Sequence, residues 1–117
     1  PGWFELLPEF EAGLSGIEDF SHIFLLYHFH RSQGYELKVR PFLDERLHGV
    51  FATRYPRRPN SLGFSVVRIL RREGLIVHFE GADMLDGTPL LDIKPYLTDF
   101  DQHPATRFGW YENRSLE

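Results

Sequence analysis

The sequence has no cysteine among its 117 residues, which excludes disulfide frameworks, thiolate zinc sites and cysteine nucleophiles. It also lacks any apolar run near the roughly 18 residues that a membrane-spanning helix needs. No signal-peptide pattern opens the chain. These absences predict a cytoplasmic protein without a membrane partner.

Sequence motifs for common cofactor and acyl chemistry are missing as well. No Gly-x-Gly-x-x-Gly follows a strand pattern, and there is neither a Walker loop nor a Gly-x-Ser-x-Gly elbow. A Rossmann-type cofactor site therefore has no support in the sequence.

The bulk composition is that of an ordinary globular protein. The chain is 42% hydrophobic and 26% charged. Its length matches one domain, since domains centre on roughly 100–150 residues. We therefore expect residues 1–117 to form a single domain with a buried core.

Positive charge is concentrated in one window of an acidic chain. The formal net charge is −4, yet residues 46–72 hold seven arginines and no Asp or Glu. The remaining residues therefore carry 6 of the 13 basic residues and all 17 acidic ones. Such a strip is suited to receiving a polyanion on one face, although an arginine-rich surface that is simply solvated explains it equally well.

Short strand patterns recur along the chain with turn residues between them. In residues 21–31 both alternating sets of positions are fairly apolar, which predicts a strand covered on both faces. "RREG" and "LDGTP" supply turns in which Gly74 and Gly87 can take positive φ. Further strands rich in Val, Ile and Phe are predicted at 49–53, 62–71, 75–80 and 90–96. Several short strands indicate a mostly antiparallel barrel or sandwich.

The two ends of the chain read differently from its middle. The opening "PGWFELLPEF" begins strand-like, and residues 8–20 predict only a short helical turn because Gly13 and Gly16 limit it. Periodicity is lost after Asp99, which predicts an irregular tail. Phe108, Trp110 and Tyr111 in that tail are expected to dock on the body or on a second subunit.

The stretch "FATRYPRRPNSLG" combines positive charge with a stiff backbone. Arg54, Arg57 and Arg58 lie between prolines that fix φ, and Asn60 adds two donors and an acceptor. The planar guanidinium suits phosphate or carboxylate, and a pre-ordered loop loses less entropy on binding. The alternative is a structural loop whose arginines pair with carboxylates of the protein itself.

Two further groups of residues could carry chemistry. Asp86, before Gly87, could hold ribose hydroxyls or accept a proton, although a plain Asp-Gly hairpin explains the same residues. Asp92 and Lys94 share a strand face and could simply pair. His28 and His30 have the spacing of two metal ligands, but no third ligand declares itself, so we expect a polar strand end and no metal.

Three stretches together resemble a known family. "GIEDFSHIFLLYHFHRS", "GVFATRYPRRPNSLGFSVVRIL" and "GADMLDGTPLLDIKPYL" closely resemble the TsaA-like, or TrmO, family of S-adenosylmethionine-dependent tRNA methyltransferases. The match runs from about residue 5 to residue 97. The family pattern begins earlier, with an additional strand and a Pro-Arg-Gln-like segment that also touches the cofactor. We therefore expect this sequence to be N-terminally incomplete relative to the family.

The resemblance implies a fold, a reaction and a partner. It implies a small antiparallel β-barrel acting as a homodimer on the anticodon stem-loop of tRNA. The implied reaction transfers a methyl group from S-adenosyl-L-methionine to N6 of threonylcarbamoyladenosine beside the anticodon. The rival interpretation is a non-catalytic barrel that binds S-adenosylmethionine or RNA, and a metal-dependent barrel enzyme is a third one.

The resemblance also implies roles for particular residues. Cofactor contacts would fall on residues at the strand end, around the basic loop and in the Asp-Gly turn: His30, Arg31, Arg54, Leu62, Asp86, Gly87, Thr88 and Pro89. RNA contacts would fall on Arg57, Arg58 and Asn60. Asp86 is the candidate general base, since N6 of adenine becomes acidic as the new bond forms.

Overall fold

The computed structural model describes residues 1–82 and 87–113 of the chain. In these residues the strands are β1 (Gly2–Glu5), β2 (His22–His28), β3 (Lys38–Val39), β4 (His48–Gly49), β5 (Leu62–Glu73), β6 (Ile76–Glu80) and β7 (Leu90–Pro95). The one described α-helix is α1 (Thr98–Asp101), and the 3-10 helices are Pro8–Leu14, Ile17–Asp19, Val50–Ala52 and Gly109–Asn113. None of the helices in these two ranges has the length and apolarity that crossing a membrane requires.

The main sheet has five strands in the order β1-β6-β5-β2-β7, and every neighbouring pair is antiparallel. Strands β3 and β4 form a separate two-stranded pair. The larger sheet curves into a half-barrel whose edges are β1 and β7. The predicted small, mostly antiparallel β-barrel class is thus confirmed.

Strand β2 lies between β5 and β7, and alternate side chains on its inner face are buried. Ile23, Leu25 and Tyr27 are buried there and pack with Val67 of β5 and Phe79 of β6. Each fully buried aliphatic side chain contributes roughly 1.5–3 kcal/mol. The opposite face is apolar but only half covered, so the predicted two-sided burial holds for the inner face alone.

The N-terminal 3-10 helices lie over the concave inner face. Leu14 in the first of them is 1% exposed, and Ile17 in the second packs against the core cluster. Pro8 begins the first helix, a position where the missing N–H of proline costs nothing. The predicted short helical segment is therefore confirmed.

A two-residue turn joins β5 to β6. Gly74 has a φ of 62°, which suits the tight hairpin turns that match strand twist. The register shifts between Ile69 and Arg71, where a bulge bends the long β5 strand. The predicted strands at 62–71, 75–80 and 90–96 are confirmed to within two residues at each end.

The prediction of a strand at 49–53 is wrong. Only Gly49 belongs to a strand, and residues Val50–Ala52 form a 3-10 turn. Thr53 explains the difference: its backbone N–H donates to the carbonyl of Val50 at 3.1 Å, and its hydroxyl donates to the same oxygen at 2.8 Å. Local bonds of this kind compete with a strand ladder, which the apolar pattern could not reveal.

Residues 100–113, the described part of the tail, are irregular apart from the end of α1 and the last 3-10 helix, as predicted. Trp110 is half-buried against the body of the protein, whereas Phe108 remains 53% exposed and Tyr111 42% exposed. The expected docking of the tail aromatics thus holds for Trp110.

Candidate functional site

The basic loop, residues 54–61, leaves the 3-10 turn at Thr53 and returns into β5. Thr53 is 7% exposed, and its hydroxyl accepts from the backbone N–H of Tyr55 at 3.2 Å. Arg58 folds back, and its Nη1 donates to the carbonyl of Thr53 at 2.7 Å and to that of Tyr55 at 3.2 Å. Ser61 donates to the Arg58 carbonyl at 3.1 Å. The loop is thus held by its own side chains as well as by its prolines.

The segment that follows β2 forms a wall opposite this loop. The chain turns just after the strand, where the backbone N–H of His30 donates to the carbonyl of His28 at 2.8 Å. Ser32 then reaches across to the carbonyl of Pro56 at 3.4 Å. Gly34, with a φ of 64°, lies so close to Arg57 that an added Cβ would be 3.9 Å from its Nη2.

Between the two walls lies a cavity of about 460 Å³, called the loop cavity below. This volume is within the range of about 300–1,000 Å³ that small-ligand sites occupy. Its lining mixes apolar, aromatic and polar side chains, among them His28, Tyr35, Arg58, Asn60, Leu62 and Leu91. A ligand with a flat apolar part and a charged end matches such a lining.

The seven arginines of the basic window divide into two groups. Four form ion pairs with carboxylates: Arg46 with Asp44, Arg68 with Glu80, Arg71 with Glu73 and Arg72 with Glu18. Arg54, Arg57 and Arg58, which lie in the loop, form no ion pair within residues 1–82 and 87–113. In the described chain, pairing with internal carboxylates therefore accounts for the arginines outside the loop and not for those within it.

The three loop arginines occupy different environments. Arg58 is half-buried by its bonds within the loop, whereas Arg57 is exposed. Arg54 lies over the ring of Phe64, 5.4 Å from the centroid, on the outer face of the sheet. The predicted cofactor residues Arg54 and Leu62 thus differ in position, since only Leu62 lines the loop cavity.

Of the predicted Asp-Gly turn, Asp86 falls outside the described residues, whereas Gly87, Thr88 and Pro89 are described. Gly87 has a φ of 79° and, with Thr88, lines a second, larger cavity of about 1310 Å³ on the inner side of the half-barrel. The carbonyl of Pro89 accepts from the backbone N–H of His28 at 3.0 Å. Leu91 lines both cavities, so the segment after the turn separates them.

The histidine pair does not form a metal site in the described residues. Because β2 ends at His28, the alternation that would place His30 on the same face stops there. Within residues 1–82 and 87–113 no group of three or more His, Asp or Glu side chains is arranged to hold a metal ion. His28 instead lines the loop cavity. His30 and Arg31 come just after the end of β2 and are not among the lining residues of that cavity.

Hydrogen bonds lower the pKa of two carboxyls, one near the sheet edge and one at the hairpin. Asp92 has a lowered pKa because its carboxylate accepts from the backbone N–H of Ile93 and from Lys94, whose Nζ is 3.2 Å away. Glu73 has a lowered pKa because Arg71 donates to it at 2.7 Å. The predicted pairing of Asp92 with Lys94 is confirmed.

Sequence reasoning missed several residues of the loop cavity. Ser32, Gly34, Tyr35 and Leu91 contribute to its lining. Gly34 and Tyr35 lie outside the three family-like stretches, and Ser32 and Leu91 lie inside two of them without a predicted role. Only the pairing of β2 with both β5 and β7 brings these segments beside the basic loop. An aromatic residue shortly after a strand that ends in histidines was the one available signal.

The fold and the cavity define the class: a small antiparallel β protein with a ligand-sized cavity beside a basic loop whose arginines form no ion pair in the described part of the chain. The family model described as the tRNA-methyltransferase O N-terminal domain matches residues 1–102. The chain belongs to this family.

Related proteins agree with that assignment. A probable S-adenosyl-L-methionine-binding protein of Pyrococcus abyssi is 55% identical over 111 residues, or 95% of this chain and 60% of that protein. The human tRNA (adenine(37)-N6)-methyltransferase is 40% identical over 94 residues, or 78% of this chain and 21% of that protein. The crystal structure of TrmO from Pseudomonas aeruginosa matches with a TM-score of 0.74 and 42% identity, covering 92% of this chain and 47% of that one. This chain thus spans at most 60% of the length of these three proteins.

Proposed function

We propose that this chain is part of an S-adenosyl-L-methionine-dependent tRNA methyltransferase that methylates N6 of threonylcarbamoyladenosine beside the anticodon. Family membership and the names of the relatives support the general reaction. One structural observation carries the site: a cavity of ligand size opens beside three arginines that no described carboxylate neutralises.

The chemistry of the loop cavity fits the proposed cofactor. When bound, S-adenosylmethionine supplies a methyl group on a positively charged sulfur, which is a strong electrophile. Tyr35 and Leu62 offer surface for its adenine ring, and Asn60 offers both donors and an acceptor for polar edges. Arg58, which lines the cavity, offers cationic donors for its carboxylate, and Arg31, which follows β2 along the chain, is proposed as a second donor. Binding, orientation and exclusion of water are thus the tasks of these residues.

The remaining cofactor residues from the sequence stay part of the proposal. Gly87, Thr88 and Pro89 lie on the segment that separates the loop cavity from the larger one, where their backbone can approach a ligand closely. His30 follows the strand end, and Arg54 lies on the outer side of the loop. Titration calorimetry with S-adenosylmethionine on Asn60→Ala and Leu62→Ala measures the loop-cavity site. Unchanged affinity in both variants would place the cofactor elsewhere.

The proposed RNA contact rests on Arg57 more than on Arg58. Arg57 is exposed, whereas Arg58 donates to carbonyls within the loop. Asn60 lines the loop cavity. Replacing Arg57 by alanine should weaken binding of an anticodon stem-loop RNA and reduce the slope of log affinity against log salt by about 1. Filter binding at several salt concentrations measures both quantities.

Arg71 provides a matched control for that experiment. It is exposed and paired with Glu73, nine strand residues from Leu62, or roughly 30 Å along β5. Arg71→Ala removes the same charge and should leave the salt slope unchanged. Equal effects of Arg57→Ala and Arg71→Ala would mean that only net charge matters, which contradicts a specific contact.

Asp86 is the candidate base for proton removal, although it could equally hold the ribose of the cofactor. N6 of the modified adenosine loses a proton as the methyl group is transferred, and a carboxylate can accept it. Asp86→Asn should therefore lower kcat by about 10²-fold or more while leaving the affinity for S-adenosylmethionine nearly unchanged. A loss of cofactor affinity with unchanged turnover per bound complex would make Asp86 a binding residue.

A second candidate function is a non-catalytic module that binds S-adenosylmethionine or RNA. It is favoured by the name of the Pyrococcus abyssi relative, a probable S-adenosyl-L-methionine-binding protein, which states binding and no reaction. Calorimetry followed by a methyl-transfer assay on threonylcarbamoylated tRNA separates the two functions. Tight cofactor binding with no transfer, by this chain and by the chain extended to the length of its relatives, would favour the module.

A homodimer also belongs to the proposal, and the outer face of the sheet supports it. Phe24, Phe64 and Tyr96 form an aromatic cluster there, with Phe24 5.6 Å from Tyr96 and 6.4 Å from Phe64. Phe64 is 54% exposed, with Leu62 and Val66 beside it at 53% and 38%. Monomers rarely expose contiguous apolar patches above roughly 300–600 Å². A second copy placing the same patch on this one would cover both.

Sedimentation analysis of Phe64→Ser tests the dimer. The substitution should shift the population toward monomer, whereas Phe42→Ser, at a side chain that is 97% exposed outside this patch, should not. A wild-type chain that is monomeric at high concentration would contradict the homodimer. The cytoplasmic location stays a prediction.

A further inference from the structure

The last 3-10 helix of the described chain, Gly109–Asn113, contacts the base of the basic loop through one side chain. The indole Nε1 of Trp110 donates to the carbonyl of Ala52 at 2.7 Å. Its ring also stacks on His48, with 5.3 Å between centroids and 25° between planes. The helix Gly109–Asn113 lies outside the part of the chain that the family model matches, which ends at residue 102.

The platform under Trp110 is itself fixed. His48 Nε2 lies 2.8 Å from Oδ2 of Asp44, which limits rotation of the imidazole. Arg46 holds the same carboxylate by its backbone N–H at 3.1 Å and by its guanidinium at 3.0 Å. The bonds from Arg46 and His48 also lower the pKa of Asp44, so the carboxylate stays ionised and keeps them.

The other side of the contact leads directly into the loop. Ala52 ends the 3-10 turn, and the next residue, Thr53, bonds Val50, Tyr55 and Arg58. A shift at Ala52 therefore moves Thr53, and with it the carbonyl that holds the Arg58 guanidinium. Arg58 lines the loop cavity, so its position sets the shape of that wall.

From this continuous chain of contacts we propose that Trp110 is a positioning residue, which holds the base of the basic loop in the conformation that shapes the loop cavity and presents Arg57. The indole N–H fixes the Ala52 carbonyl, and the stack on His48 fixes the indole. The effect on ligand binding rests on the function proposed above, whereas the effect on loop order does not.

Hydrogen exchange measures the loop directly. In Trp110→Ala the hydrogen-bonded amides at the base of the loop, those of Thr53 and Tyr55, should exchange about tenfold faster, since one hydrogen bond and one ring stack are lost. Amides of β2 and β6 should keep their protection. Trp110→Phe keeps a ring on His48 without the N–H and should lie between the wild type and the alanine variant. Trp3→Ala, at a tryptophan that is 61% exposed on β1, is the matched control and should leave the loop unchanged.

The affinities for RNA and for S-adenosylmethionine distinguish a positioning residue from one that only stabilises the fold, because a merely structural role would leave them unchanged. Trp110→Ala should weaken anticodon stem-loop RNA about threefold to tenfold and reduce its salt slope, with partial recovery in Trp110→Phe. The affinity for S-adenosylmethionine should fall by a similar factor. If loop exchange is unchanged in both variants, the proposal is overturned.

Faster exchange with unchanged RNA and cofactor affinity overturns the positioning role as well. If the wild type binds neither ligand, the function proposed above fails. The exchange result then decides alone whether Trp110 orders the loop.

Discussion

Gly63, at the start of β5, is the position where one added carbon should be most costly. A Cβ built there would lie 2.5 Å from Cε2 and 2.9 Å from Cζ of Tyr27, and 2.8 Å from Cζ of Phe29. Tyr27 is 9% exposed, its hydroxyl bonds Ser65 at 2.8 Å, and its ring packs edge-on to Phe29 at 5.6 Å. Neither ring can move without disturbing the other.

The magnitude follows from these contacts. Overpacking of a filled core costs about 1–3 kcal/mol, and displacing Tyr27 from Ser65 adds about 1 kcal/mol. The lower entropy of the unfolded alanine chain offsets about 0.4–1 kcal/mol. Gly63→Ala should therefore destabilise the fold by about 1–3.6 kcal/mol. At roughly 4 °C per kcal/mol, Tm should fall by roughly 4–14 °C.

Gly49→Ala is the matched control, since its φ is −59° and nothing lies within 4 Å of an added Cβ. It should be neutral or stabilising by about 0.5 kcal/mol. Calorimetry of both variants gives the comparison. Adding Tyr27→Leu to Gly63→Ala should cost less than the sum of the single changes, because the clashing ring is gone. Gly63→Ala melting at or above the wild-type temperature would refute the close approach.

Three further outcomes are expected. Thr53→Val should cost about 1–3 kcal/mol in chemical denaturation, because the buried hydroxyl that bonds both Val50 and Tyr55 is lost; an unchanged midpoint would contradict those bonds. Asp44 has a lowered pKa in the fold, mainly through hydrogen bonds from Arg46, so its stabilisation is present above about pH 4 and is lost as pH falls further. The stability difference between wild type and Asp44→Asn should thus be constant from pH 5 to pH 7 and shrink below pH 4, and a constant difference down to pH 3 would refute it. Gly74→Ala should cost about 1–2 kcal/mol by thermal melting, since its φ is 62°, and no loss would contradict that turn.

The strands were predictable where side-chain period and turn chemistry agree. Residues 62–71 and 75–80 are rich in Val, Ile and Phe, and "RREG" supplies a glycine where positive φ is needed, so the hairpin followed from local rules. At 49–53 the apolar pattern was the same, but Thr53 satisfies its hydrogen bonds locally. Composition alone could not distinguish these two outcomes.

The candidate site was predictable only in part. The basic loop was visible because prolines and arginines are adjacent in sequence. The partners of the arginines outside the loop were not visible, because Glu18 and Glu80 reach Arg72 and Arg68 of β5 only through the fold. The same holds for Trp110, whose contact at Ala52 lies 58 residues away along the chain. Pairs this distant leave no periodic signal in one sequence.

The order of the strands in the sheet also has a kinetic consequence. Strand β2 pairs with β5 and β7, both of which come long after it in the chain, whereas β5 and β6 are separated by a single tight turn. Closing long loops loses chain entropy before any contact is gained, so such topologies fold in roughly milliseconds to seconds. The hairpin of β5 and β6 is therefore expected to form early and β2 to join later. One wall of the loop cavity follows β2 and the other precedes β5. The cavity therefore forms only once β2 has paired with β5.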